Sequence, residues 1–224
     1  MWIIMFRPEV PEQALNSLYS WKTTTVGTTT MKTTTAKPVP LGCVADILFL
    51  IDFSKGTGEK SQNYFDIAAS AVGVLPIGAD VVRVGMIGYS GPGRATALFH
   101  LNKHDTKDDL IEELFKMQQH GGTTRTGEAI QFAKKEFGTA RNGARKGSKR
   151  VIVLFTDGFS QDDPVPAAEE ARREGIQIIT VSVADPFSPN EEELQAITGR
   201  KELLLISPKG QQIREKILGK QCNL

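Results

Sequence analysis

Short apolar runs alternate with helically spaced apolar positions from residue 46 to residue 218. Asp46–Ile51 (DILFLI) and Val151–Phe155 (VIVLF) are continuously apolar, as strands covered on both faces are. Phe65, Ile67, Ala68, Ala71, Val72 and Leu75 recur at helical spacing after the first run, and Pro76 with Gly78 ends that helix. Val81–Tyr89 predicts a second strand, with Gly85 and Gly88 marking close packing against a neighbouring element. Beyond the turn Gly91-Pro92-Gly93, Thr96–Leu101 reads as its short antiparallel partner at a sheet edge. Helices are expected at about Thr106–Met117, with Thr106 as cap, and at about Thr126–Phe137, with Ala129, Ile130, Ala133 and Phe137 facing inward. After Val151–Phe155 come a helix at about Val165–Glu174, strand Ile176–Val183, helix Asn190–Ile197, strand Leu203–Ile206 and a last helix at about Lys209–Leu218. Amphipathic helices between buried strands predict an α/β fold, a doubly wound, mostly parallel six-stranded sheet with one antiparallel edge strand and helices on both faces.

The first forty residues do not belong to this pattern. They carry Thr23-Thr24-Thr25, Thr28-Thr29-Thr30 and Thr33-Thr34-Thr35, followed by Pro38 and Pro40, with little apolar area to bury. Residues 1–42 are therefore expected to form a disordered Thr/Pro-rich tether, residues 43–222 the domain, and residues 223–224 a tail. Thr/Pro tracts are typical acceptors of O-linked sugars in a secreted protein, against the plainer reading of an unmodified tail. Cys43 and Cys222 bracket the domain and nothing else. A bridge between them would clip its ends together and implies an oxidising compartment; two unrelated thiols are the alternative.

Charge narrows the partners. With 27 basic and 26 acidic residues mixed along the chain, no electrostatic footprint for nucleic acid is present. The densest basic cluster, Arg141, Arg145, Lys146, Lys149 and Arg150, reads as a solvated flank of the following strand. No stretch reaches the roughly 18 apolar residues that span a bilayer, so membrane insertion is not expected. Trp2–Phe6 is apolar but shorter than a usual export signal, and nothing basic precedes it, so an export leader is expected to be missing, truncated or atypical.

Candidate chemistry lies at strand ends, where open parallel sheets bind ligands. The first strand runs into Asp52-Phe53-Ser54-Lys55-Gly56, the strand at 151–155 into Thr156-Asp157-Gly158, and Gly121-Gly122-Thr123-Thr124 precedes a helix. Two carboxylates with hydroxyls make an oxygen-only donor set, suited to Mg2+ or, in an exposed site, to Ca2+ or Mn2+. Asp52 and Asp157 acting only as loop caps on backbone amides is the competing reading. His100, His104 and His120 show no ligand spacing, and Gly-x-Ser-x-Gly and the phosphate-cradling Gly-x-x-x-x-Gly-Lys-Ser/Thr are both absent.

Taken in order, these motifs resemble those of the von Willebrand factor type A domain, a module of integrins, matrilins and collagen-associated proteins, over roughly Cys43 to Cys222. The resemblance implies a Rossmann-like sheet and a metal-ion-dependent adhesion site (MIDAS) of pattern Asp-x-Ser-x-Ser, then a distant Thr, then Asp. Asp52 and Ser54 match the first positions, Thr123 or Thr124 the threonine, with Thr123 preferred for its distance from Gly127, and Asp157 the last. In such a site an acidic residue of a protein partner completes the coordination. The implied function is a secreted adhesion module, similar to nematode or metazoan extracellular members of the family, and not an enzyme. Gly56 stands where the pattern has its second serine, which removes one oxygen and should weaken the ion's hold. Lys55 beside the site adds a competing positive charge. A metal-independent scaffold of the same fold therefore stays open, and a magnesium-dependent hydrolase using the same pocket is the remaining alternative.

Overall fold

The computed structural model describes residues 40–58, 60–116, 121–184, 188–220 and 222. The Thr-rich segment up to residue 39, the tail at 223–224 and Met117, the expected end of one helix, lie outside these residues. Six strands form one sheet: β1 (Ala45–Asp52), β2 (Val82–Tyr89), β3 (Thr96–Phe99), β4 (Lys149–Phe155), β5 (Gln177–Ser182) and β6 (Leu204–Ile206), in the order β3-β2-β1-β4-β5-β6. All pairings are parallel except β2 with β3, which is antiparallel at the edge. Among the described residues, six α-helices connect or follow them: α1 (Lys60–Val74), α2 (Lys107–Phe115), α3 (Thr126–Phe137), α4 (Val165–Arg173), α5 (Glu191–Thr198) and α6 (Gly210–Leu218).

Successive residues of a strand face opposite sides, and the two halves of the core follow that alternation. Ile47, Phe49 and Ile51 of β1 join Val151, Val153 and Phe155 of β4 under α1 and α6, packed on Tyr64, Ala68, Ile213 and Ile217. Leu48, Leu50, Ile152 and Leu154 face the other way, onto Ala129, Ile130 and Ala133 of α3 and the alanines of α4. Alanine-rich faces let those helices sit close to the sheet. Every residue of β1 is buried, which explains its unbroken apolar run. Gly88 of β2 is required by packing: a Cβ there would lie 2.4 Å from the Phe53 ring.

Boundaries shift by one or two residues from the sequence reading, except at α1. That helix begins at Lys60, well before its first apolar position at Phe65, because its opening turn is the polar Lys60-Ser61-Gln62-Asn63. Helix α2 is capped as expected, Thr106 Oγ1 accepting the Asp109 N–H at 3.2 Å.

The end of the sheet opposite the candidate chemistry is closed by covalent and ionic ties. Cys43 and Cys222 form a disulfide with Cα atoms 5.5 Å apart. Arg145 is not a solvated flank residue. Its guanidinium and backbone N–H bind the fully buried Asp46 carboxylate at 2.7–2.8 Å, and it also donates to the carbonyls of Ala45, Ala79 and Val81. Lys149 is exposed, as a flank residue should be, yet its ammonium donates to the Ile217 carbonyl at 2.6 Å.

Candidate functional site

The chain reverses its direction of travel across the sheet at β1, with β2 on one side and β4 on the other. In open α/β sheets such a switch point leaves a crevice beyond the strand ends. Asp52 closes β1 at that crevice, and Asp157 follows β4 two residues after Phe155.

Asp52 is fully buried. Its Oδ1 accepts the Ser54 N–H at 2.9 Å, and its Oδ2 accepts the Thr156 hydroxyl at 2.8 Å. Burial raises its carboxyl from 3.8 to about 6; the Ser54 and Thr156 hydrogen bonds pull the other way, and the negative charge of Asp157 adds to the rise. Thr156 therefore links the two acidic positions, bonding Asp52 from the residue next to Asp157, and it also accepts the Gly158 N–H at 3.2 Å. Thr57 fixes the loop after β1, its hydroxyl 2.8 Å from the Ser54 carbonyl and 3.2 Å from that of Asp52.

Ser54 Oγ is buried beside the Asp52 carboxyl, close enough to favour its ionised form, but makes no well-formed hydrogen bond among the described residues. Buried hydroxyls normally have one. A Cβ at Gly56 would stand 3.6 Å from this oxygen, so the glycine leaves ordinary room beside it without supplying a donor.

The third loop is fastened to the first. Lys55 N–H donates to the Gly122 carbonyl at 2.9 Å, and Gln161 N–H to the Thr124 carbonyl at 2.9 Å, so the loops bearing Asp52, the threonines and Asp157 are cross-tied through main chain. Thr124 is buried, while Thr123 is exposed with its hydroxyl close to Gly91 in the loop after β2. Asp162 holds the start of α3, accepting the N–H groups of Gly127 and Glu128 at 3.1 and 2.9 Å and the Ser160 hydroxyl at 2.6 Å. A Cβ at Gly127 would meet Asp162 Oδ2 at 2.8 Å, which accounts for the glycine after Thr126. Asp163 instead serves α4, accepting the Val165 N–H at 3.1 Å.

Lys60 completes the crevice. From the first residue of α1 its Nζ reaches Asp157 Oδ2 at 3.2 Å, and the two side chains are only 6% and 11% exposed. Among the described residues no three His, Cys, Asp or Glu side chains cluster as a metal centre. The donor set is two carboxylates with neighbouring hydroxyls, one of them orphaned, all oxygen. Its chemistry suits a hard divalent cation, with one hydroxyl fewer because of Gly56 and with an ammonium already on one carboxylate. Of the expected residues, Asp52 and Ser54 share one loop, Asp157 is joined to them through Thr156, and the threonine loop is tied alongside. Sequence reasoning passed over Thr156, Thr57 and Lys60. Thr156 was discoverable from its place beside a strand-end Asp; Lys60, 97 residues from its partner, carries no local signal.

Residues 46–215 match the von Willebrand factor type A domain. The chain belongs to that family. Collagen alpha-1(XII) chain of Notophthalmus viridescens is 32% identical over 178 residues, covering 76% of this chain and 19% of that protein. Cochlin of Bos taurus is 34% identical over 149 residues, covering 65% of this chain and 26% of that protein. The chain thus spans about a fifth to a quarter of the length of these curated relatives. Among solved structures, proximal thread matrix protein 1 from the mussel byssus, with a zinc-occupied MIDAS motif, superposes with a TM-score of 0.65 at 20% identity, covering 79% of this chain and 47% of that one. At that identity the likeness concerns the fold. These relatives are animal proteins, and none of them supports a narrower nematode attribution.

Proposed function

We propose that this type A domain is an extracellular protein-binding module, and that it engages an acidic side chain of its protein partner through a divalent cation at the ends of β1 and β4. Asp52 and Asp157 would supply carboxylates and Ser54 a hydroxyl; Mg2+ fits this donor set, as do Mn2+ and Ca2+. Between the threonines, burial supports Thr124 as the further hydroxyl donor over the exposed Thr123 favoured by spacing. Once bound, the ion would present positive charge to a partner carboxylate. The residues themselves hold the loops in register: Thr57 braces the loop after β1, Lys55 and Gly122 join it to the threonine loop, and Gln161 ties the threonine loop to the one bearing Asp157.

The observation that carries this reading is the orphaned Ser54 hydroxyl beside a buried carboxylate. A cation would satisfy both. The zinc-occupied motif of the mussel protein supports the same chemistry. An extracellular setting is supported by the Cys43–Cys222 disulfide and by the likeness to a collagen chain and a byssal protein. Binding is favoured over catalysis because His100 is engaged with Glu136 at 2.9 Å and His104 packs edge-to-face with Phe99, so neither serves Ser54 as a base.

Calorimetric titration of chelator-treated protein with Mn2+ and Mg2+ tests the site. A dissociation constant in the millimolar range or tighter, lost in Asp52→Ala, is the expected result; no binding by wild type at millimolar ion overturns it. Gly56 and the Lys60–Asp157 pair favour a second reading, a metal-independent scaffold. In that case partner capture would survive EDTA unchanged.

A further inference from the structure

The position of Lys60 is unfavourable for its own helix. It is the first residue of a fifteen-residue helix, α1, whose first turn carries no acidic side chain. A helix N-terminus bears partial positive charge and favours anions there. A long, rotamer-rich side chain normally keeps its ammonium in water, yet this one is 6% exposed and directed across the crevice to Asp157. The crevice supplies a reason, because a buried acidic group needs compensating charge close by.

We propose that Lys60 is the resident cation of the crevice and sets its divalent-ion affinity: the ammonium occupies Asp157 until a divalent ion displaces it. This rests on the cation site proposed above. Asp157 Oδ2 cannot give its full charge to an ion while it holds Lys60 at 3.2 Å, and an ion beside an undisplaced ammonium would meet like charge at short range. The loop between Asp52 and α1 already lacks the hydroxyl that Gly56 removes. Both features act in the same direction. They make the site weak for divalent ions and leave Asp157 paired without them.

The test is titration of the chelator-treated full chain with Mn2+ for wild type, Lys60→Met, Lys60→Gln and Lys60→Arg, with thermal unfolding in EDTA and in Mn2+ as a second readout. Lys60→Met is expected to bind Mn2+ at least tenfold more tightly than wild type, a gain of about 1.4 kcal/mol. In EDTA it should unfold at lower temperature than wild type, and Mn2+ should raise its midpoint more than it raises that of wild type. Lys60→Gln, which keeps a hydrogen-bond donor without charge, should show the same gain and serves if the methionine variant does not fold. Lys60→Arg, which keeps the charge, should remain weak. Wild-type binding that is unchanged or weakened in both neutral variants overturns the role of Lys60 and leaves the cation site standing. Failure of all variants to bind at millimolar Mn2+ overturns both.

Discussion

Asp52→Asn isolates the cost of placing a charge at the end of β1. Without a divalent ion, the carboxyl is raised from 3.8 to about 6, chiefly by burial. Two hydrogen bonds to an ionised carboxylate would each favour the charged form by about 1.5–3 kcal/mol, but the upward direction shows that desolvation exceeds them. Because the folded protein holds this proton more tightly than the unfolded chain, the native state gains stability below the unfolded value and loses it as pH rises through about 6. The total loss corresponds to about 3 kcal/mol. Asparagine keeps the shape: its Oδ1 can accept the Ser54 N–H, and its amide can donate to the Thr156 hydroxyl oxygen. In EDTA the variant is therefore expected to be more stable than wild type near pH 8, by up to about 3 kcal/mol, with the difference shrinking toward zero near pH 4. Urea denaturation at several pH values measures this directly. With Mg2+ present the order should narrow or reverse, since only wild type gains from the ion. A variant less stable than wild type in EDTA at high pH, by a margin that widens with pH, would refute the argument.

Two further outcomes concern the opposite end of the sheet. Reducing the Cys43–Cys222 bridge, or replacing both cysteines with serine, should lower stability by up to about 5 kcal/mol by the loop-entropy estimate, and a non-reducing peptide map should recover the two cysteine peptides joined. Arg145→Ala should cost about 3–5 kcal/mol in urea unfolding by stranding the buried Asp46 carboxylate, and Arg145→Lys should restore only part, since a single ammonium cannot reproduce the guanidinium's several partners. A loss below about 1 kcal/mol for the alanine variant would place Arg145 among ordinary surface ion pairs.

What was legible in the sequence depended on whether the cause was local. The DILFLI and VIVLF runs announced central strands because burial on both faces demands continuous apolar residues, and an Asp at each strand end placed the candidate site at the switch point. Gly85 and Gly88 marked close packing correctly, since each is pressed by a side chain: Leu48 at 2.9 Å and Phe53 at 2.4 Å from where a Cβ would sit. The start of α1 was missed because a turn can be helical without being apolar, and Lys60-Ser61-Gln62-Asn63 offers no periodicity. Asp162 holds the N-terminus of α3, some 35 residues earlier, a role that no local pattern announces. Arg145 and Lys60 escaped for the same reason. Their partners lie 99 and 97 residues away, and only folding reveals which acid each basic side chain meets.

The disulfide also determines how the domain responds to pulling. Cys43 and Cys222 are separated by 179 positions in sequence but by only 5.5 Å between Cα atoms. Tension entering before Cys43 and leaving after Cys222 would pass through one sulfur–sulfur bond and bypass the hydrogen-bonded strands. The loops around Asp52 and Asp157, at the far end of the sheet, would then keep their shape under a load that stretches the flanking chain.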